Sequence, residues 1–218
     1  MRAALFALAC GGCIPAVPFV VGETAEALNA REVSAAIYGG GGAFTGSSSS
    51  GRECCGGAMG RVRVGVGRAQ EVGLDGGVYL SGHPGHGDVW GTGKLAWKLQ
   101  LREHLAITGG VGMSFIDKTV GLGGDAGVIA STSPWRDQLR LYAALRVTMM
   151  VQANGGISDG GGVLTGGVAW DPTRRWRLAA EIGAIGTGSN TDVTGGQRSN
   201  SGWFGGYGAA VVSYAWRR

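Results

Sequence analysis

The sequence predicts an all-β fold, a closed antiparallel transmembrane β-barrel of about ten strands with short periplasmic turns and long outer loops. Three observations predict it. Short segments alternate strictly between apolar and polar residues, most clearly Leu139-Arg140-Leu141-Tyr142-Ala143-Ala144-Leu145-Arg146-Val147-Thr148, so one face is aliphatic and the other carries both arginines. Each candidate segment is near the roughly 9 to 11 residues that a tilted strand needs to cross a bilayer. Connections alternate between tight polar turns and longer glycine-rich stretches, which is the asymmetry of a membrane barrel. Hydrocarbon offers no hydrogen-bond partner, so a spanning sheet must close on itself.

The segments follow in order. The first, near 32–44, is interrupted by Gly39 to Gly42. In the second, 59–69, Val62, Val64 and Val66 oppose Arg61 and Arg63. In the third, 71–81, Val72, Leu74, Val78 and Leu80 oppose Glu71 and Asp75, and in the fourth, 90–101, Leu95, Trp97, Leu99 and Leu101 oppose Lys94 and Lys98. The fifth, 104–115, aligns Leu105, Ile107, Val111 and Met113, and the sixth is expected at 122–133. The seventh, 138–149, is the clearest; the eighth, 162–171, is weakened by Gly160 to Gly167. The ninth, 175–187, carries Glu181, and the tenth spans 203–216. If the first and eighth segments are irregular, the count falls to eight.

Short turns are expected at 69–71, 101–104, 134–137 and 171–174, and long loops at 45–57, 81–89, 116–121, 151–161 and 187–202. An even number of strands puts both termini at the short-turn rim. A lipid-facing Arg or Lys at mid-membrane costs roughly 2 to 4 kcal/mol, so Arg61, Arg63, Glu71, Asp75, Lys94, Lys98, Arg140, Arg146 and Glu181 are expected to point into a polar lumen. Because both signs occur and a ten-stranded barrel is narrow, a packed ionic network that plugs the interior is expected. Trp97, Trp135, Trp170, Trp176 and Trp216 fall near the short-turn rim, and Trp90 and Trp203 near the other, as interfacial rings would.

Composition closes off other classes. Glycine supplies 45 of 218 residues and proline 5, which suits tight turns and close strand contacts rather than a Pro-rich disordered chain. No internal run approaches the roughly 18 to 20 apolar residues of a membrane helix. The net charge of +4 is spread singly along alternating segments, without the basic stripe of a nucleic-acid binder.

The N-terminus reads as a processing signal, so residues 1–30 are taken as leader and short linker and 31–218 as the barrel. Two readings stay open. A short apolar core, Ala3 to Ala9, precedes Cys10-Gly11-Gly12-Cys13, as in a leader whose cysteine is lipidated at Cys10 or Cys13. Alternatively, the apolar stretch continues to Val21 and cleavage follows Ala25-Glu26-Ala27, leaving Leu28 at the mature N-terminus.

Candidate chemistry is sparse. His83-Pro84-Gly85-His86-Gly87-Asp88 offers two imidazoles and a carboxylate, short of the three or four rigidly framed ligands of a zinc site, so no metal is expected. No closely spaced His-Ser pair occurs, and the chain is expected not to be an enzyme. The glycine strings lack the Lys-Ser or Lys-Thr of a phosphate loop, and no cofactor is expected. Cys54-Cys55, placed in the first long loop, is a candidate local disulfide in an oxidising compartment.

On this alternation, over residues 31–218, the chain resembles the small outer-membrane β-barrel proteins of Gram-negative bacteria, the porin-like group of eight to ten strands. The resemblance implies outer-membrane residence among lipids, help from the barrel-assembly machinery, and a final aromatic residue, here Trp216 ahead of Arg217-Arg218. The expected protein is a monomer with a narrow or plugged lumen and a structural or loop-mediated binding role. The alternatives are a narrow pore for small ions or solutes, a barrel lipid-modifying hydrolase, and a soluble or surface-attached β-sandwich adhesin.

Overall fold

The computed structural model describes residues 22–46, 52–83, 86–116, 119–135, 138–152, 157–193 and 197–217. Ten strands follow one another: β1 (Glu32–Gly46), β2 (Arg52–Gly67), β3 (Gln70–His83), β4 (His86–Arg102), β5 (Leu105–Ile116), β6 (Thr119–Trp135), β7 (Leu139–Gln152), β8 (Ile157–Trp170), β9 (Trp176–Val193) and β10 (Gln197–Arg217). Each is antiparallel to its sequence neighbours, and β1 pairs β10 from Glu32↔Arg217 to Gly46↔Trp203, which closes the barrel. Closure leaves no second sheet, so the β-sandwich alternative falls. The eight-stranded alternative falls too: Gly39 to Gly42 pair with Ala210 to Tyr207, and β8 pairs on both sides. A glycine run weakens the visible alternation without removing the backbone donors and acceptors that make the ladder.

Among the described residues, most of the stretches expected as long outer loops are strand. Residues 47–51, 84–85, 117–118, 153–156 and 194–196, between the strand ends at that rim, lie outside the described residues, and the turns at the other rim are 68–69, 103–104, 136–138 and 171–175. The Gly, Ser, Asn and Asp stretches expected as loops continue the ladder instead, with pairing up to His83↔His86 and Gln197↔Val193. A strand beyond the lipid needs no aliphatic face, so period two loses its hydrophobic signature there. For the same reason Cys54 and Cys55 lie in β2, opposite Ala43 and Gly42, rather than in a loop. Their side chains lie outside the described residues.

The two faces of the wall differ in chemistry. Outside are Ile37 (73% exposed), Leu74 (63%), Val111 (64%), Leu145 (57%), Met149 (73%) and Ile182 (73%), with many more aliphatic side chains between them. An apolar surface that surrounds the molecule is unfavourable in water and is what lipid requires. No helix among the described residues is long and apolar enough to cross a membrane; the strands make the crossing.

At the short-turn rim, exposed Trp97, Trp170 and Trp176 form an aromatic girdle, and Trp176 packs edge-on to Tyr214 with centroids 4.9 Å apart. The Trp97 ring also covers Gly109, where a Cβ would sit 2.8 Å from the indole nitrogen. Trp90 corrects the expectation: it is buried in the lumen, because the alternation that turns Lys94 and Lys98 inward turns residue 90 inward as well. The side chains of Trp135 and Trp203 lie outside the described residues.

Candidate functional site

The lumen is filled in three levels. Toward the loop rim it is aromatic and apolar, with Tyr38, Met59, Tyr79, Trp90, Met150 and Ile185 all buried. Toward the short-turn rim, Arg140 and Arg177 meet Asp171 at 3.2 and 2.6 Å. Between these lies a nearly dry ionic core.

In that core, β2 and β3 place Arg61 and Arg63 against Asp75, at 3.2 Å for Arg61 and in two contacts for Arg63. β4 adds Lys94, 3.7 Å from Asp75 and 3.1 Å from Asp125 of β6, which also accepts from Arg146 of β7 at 3.1 Å. Lys98 pairs with Glu71 at 2.8 Å. Glu181 of β9 accepts from the hydroxyls of Tyr142 and Tyr207 at 2.8 and 3.2 Å. The two rings lie flat on the wall because Gly167 and Gly183 stand beneath them; a Cβ at either position would come within 2.3 Å of a ring carbon. Eight of the nine charged residues expected in the lumen are buried there, and Arg140 is half-buried at its mouth. Each buried charge has an opposite partner or hydrogen bonds, which is the condition for tolerating it away from water.

Asp125, Asp171 and Arg177 were not expected. Asp125 escaped notice because β6 runs Val128-Ile129-Ala130 with apolar side chains on both faces, Ile129 being buried in the lumen. Asp171 sits in a turn and Arg177 at a strand end, where alternation is not evident.

The main omission is a segment rather than a residue. Of residues 22–30, read from sequence as the end of a leader and its linker, 22–28 run inside the lumen and Asn29 and Ala30 are exposed. The backbone N–H groups of Gly22, Ala25, Ala27 and Leu28 donate to Glu181 (2.7 Å), Ser131 (3.1 Å), Gln100 (3.0 Å) and Glu71 (3.0 Å), side chains from β9, β6, β4 and β3. Thr24 and Ala25 are fully buried. The chain then turns into the wall at Arg31, whose positive φ of 67° is uncommon outside glycine and whose N–H bonds the Gly65 carbonyl at 2.8 Å. Gly65 is needed where the segment passes, since a Cβ there would lie 2.0 Å from the Asn29 carbonyl oxygen.

The segment also completes the charge balance. In the wall and its turn, the basic groups of the network are Arg61, Arg63, Lys94, Lys98, Arg140, Arg146 and Arg177, and the acidic ones Glu71, Asp75, Asp125, Asp171 and Glu181. Glu23 and Glu26 of the segment make the two signs equal. Glu23 meets Arg61 at 2.8 Å, Arg63 at 3.2 Å and Lys98 at 3.3 Å, and Glu26 pairs with Arg140. Burial alone would raise the Glu23 carboxyl, but Arg61, Lys98 and Arg63 hold it well below the ordinary glutamate value. Below the segment, a cavity of about 660 Å³ opens at the short-turn rim, lined by Glu26, Arg140, Asp171, Arg175 and Arg177 among others.

Cys10 and Cys13 lie outside the described residues, as do the side chains of His83 and His86.

No protein-family profile and no curated protein matches the chain. Solved structures similar to it include an outer-membrane channel of Pseudomonas putida F1 (10% identity, 88% of this chain and 97% of that one, TM-score 0.46). Others are the P. putida toluene transporter TodX (10% identity, 88% and 91%, TM-score 0.37) and OmpT of Vibrio cholerae lacking loop L8 (14% identity, 75% and 54%, TM-score 0.37). The chain spans about half the length of the OmpT structures. At such scores the likeness carries no argument about activity.

One expectation is corrected here, that the barrel is not an enzyme. It took the architecture and the lack of a close His-Ser pair as sufficient. Architecture by itself excludes no activity, because function lives in sites and not in the fold that carries them. Catalytic groups are recognised by convergence in space, not by spacing along the chain. The wall itself decides the class: with an aliphatic belt outside, ionised groups inside and no free sheet edge, the protein is an outer-membrane β-barrel.

Proposed function

We propose that this barrel is a narrow conduit for small polar solutes that its own N-terminal segment holds closed. The supporting observation is that residues 22–28 thread the lumen and are bonded by side chains of β2, β3, β4, β6 and β9, while the wall without them carries an excess of positive charge. A purely structural barrel would need no second chain segment to neutralise its interior. With the segment in place, its Glu23 and Glu26 join the ionic core across the lumen. With it displaced, a polar channel continuous with the short-turn cavity opens.

Single-channel recording on the full chain in planar bilayers tests this. The wild type is expected to be silent or to open rarely, and Gly65→Ala, whose added methyl collides with Asn29, to raise open probability at least tenfold. Equal silence in both, with folding shown by heat-modifiable mobility in detergent, would contradict the reading.

A further inference from the structure

Glu23 does more than fill space. Its Oε1 is held by the Arg61 and Arg63 guanidinium groups at 2.8 and 3.2 Å and its Oε2 by the Lys98 ammonium at 3.3 Å, three cations from two strands around one planar carboxylate. The cations are themselves fixed. Asp75 orients both arginines and Glu71 the lysine, and the three side chains are no more than 5% exposed. Such a cradle is set in the wall and does not depend on the segment to form it. It lies at the inner end of the cavity that opens to the short-turn rim, and both Arg61 and Lys98 line that cavity.

We infer that Arg61, Arg63 and Lys98 form a binding site for a carboxylate-bearing solute, and that the Glu23 side chain occupies it as an internal mimic of that solute. The inference rests on the proposed displacement of the segment. The chemistry favours a carboxylate, because guanidinium forks and an ammonium match its two oxygens and its single charge. When Glu23 leaves, the two arginines and the lysine keep Asp75 and Glu71 beside them but lose the carboxylate that all three share, which favours uptake of another anion. Solute and segment thus compete for one site, and a solute arriving from the short-turn side would favour the open state.

Succinate, with inorganic phosphate as a second probe, is titrated calorimetrically into the full chain, folded in detergent, as wild type, Glu23→Gln, Gly65→Ala, and Glu23→Gln combined with Arg61→Gln. Succinate should bind Glu23→Gln and Gly65→Ala at least tenfold more tightly than wild type, and the Arg61→Gln combination should lose that gain. Gly65→Ala keeps the cradle and Glu23 intact, so it serves if Glu23→Gln folds poorly. Equal succinate affinity in wild type and both single variants, or binding unaffected by Arg61→Gln, overturns the inference. Phosphate bound more tightly than succinate overturns the carboxylate assignment. Succinate binding without conductance in any variant would sink the conduit reading and leave the site standing; conductance without succinate binding would do the reverse.

Discussion

Glu23 Oε1 lies 2.8 Å from the Arg61 guanidinium, joining the segment that precedes the first strand to the middle of the second strand's lumenal face. This contact and those to Arg63 and Lys98 make one carboxylate the main ionic anchor of the segment.

The first prediction is a pH dependence with a definite sign. The Glu23 carboxyl is held well below its ordinary value of 4.5, so its contribution is fully present above that value and is lost as pH falls through the depressed one. The cations facing it are Arg61 and Arg63 from β2, Lys98 from β4 and, more distantly, Arg146 from β7. Limited proteolysis at residues 22–30 should therefore be unchanged from about pH 7 to about pH 5 and should rise only in stronger acid. Glu71 and Asp75 share these cations, so Glu23→Gln is the control. It should be cleaved readily at every pH.

The second concerns processing. A segment whose Thr24 and Ala25 are fully buried and whose Glu23 balances the lumen belongs to the mature protein, so cleavage is expected ahead of Gly22. Intact mass of the protein isolated from outer membranes checks this and also reveals any lipid on Cys10 or Cys13. A mature chain that starts at Leu28 would remove Glu23 and contradict both the plug and the competition drawn from it.

The third tests how glycine shapes the lumen. Gly183→Ala places a methyl 2.3 Å from the Tyr207 ring and 2.8 Å from the Leu164 carbonyl, whereas Gly166 has nothing within 4 Å of such a methyl. Urea unfolding in lipid vesicles should show about 1 to 3 kcal/mol of destabilisation for Gly183→Ala. Gly166→Ala should be neutral or slightly stabilising, since alanine loses less backbone freedom on folding.

The fourth tests the two faces. Leu145 is 57% exposed on the lipid side and Arg146, beside it, is buried 3.1 Å from Asp125. Leu145→Arg should cost roughly 2 to 4 kcal/mol in vesicles if it lies near the midplane. Arg146→Leu takes one cation from the Asp125 carboxylate, leaving Lys94 at 3.1 Å, and should be partly rescued by Asp125→Asn, a coupling that a double-mutant cycle reads directly. Neutral Leu145→Arg together with severe Arg146→Leu would mean that the faces are misassigned.

Much of the wall was legible because lipid enforces a simple rule. Wherever an aliphatic side chain had to face hydrocarbon, as at Leu141 and Leu145, its neighbours were forced inward, and the lumenal positions of Arg140 and Arg146 followed. The rule weakens where lipid ends, so the strand extensions around Cys54, His86 and Asn200 looked like loops. It also misleads for rings, since Trp90 has the composition of an interfacial residue and the parity of a lumenal one. Residues 22–30 were illegible for a different reason. They have no periodicity, and their place is set by contacts with residues as far as 159 positions away, such as Leu28 with Glu71 and Gly22 with Glu181. The one local hint was a pair of glutamates ahead of a wall with surplus arginine and lysine.

The most direct test of the segment's place in the lumen is a cross-link. The Ala25 N–H lies 3.1 Å from the Ser131 hydroxyl oxygen, which brings the two backbones close enough for a disulfide to be attempted. With Cys10, Cys13, Cys54 and Cys55 replaced by serine, Ala25→Cys and Ser131→Cys should oxidise to an intramolecular bond in folded protein from outer membranes, detected by mass spectrometry of the peptide pair and absent after reduction. Folded protein whose two cysteines stay free under oxidation, while both react with a small alkylating agent, would place the segment outside the barrel and contradict the closed lumen.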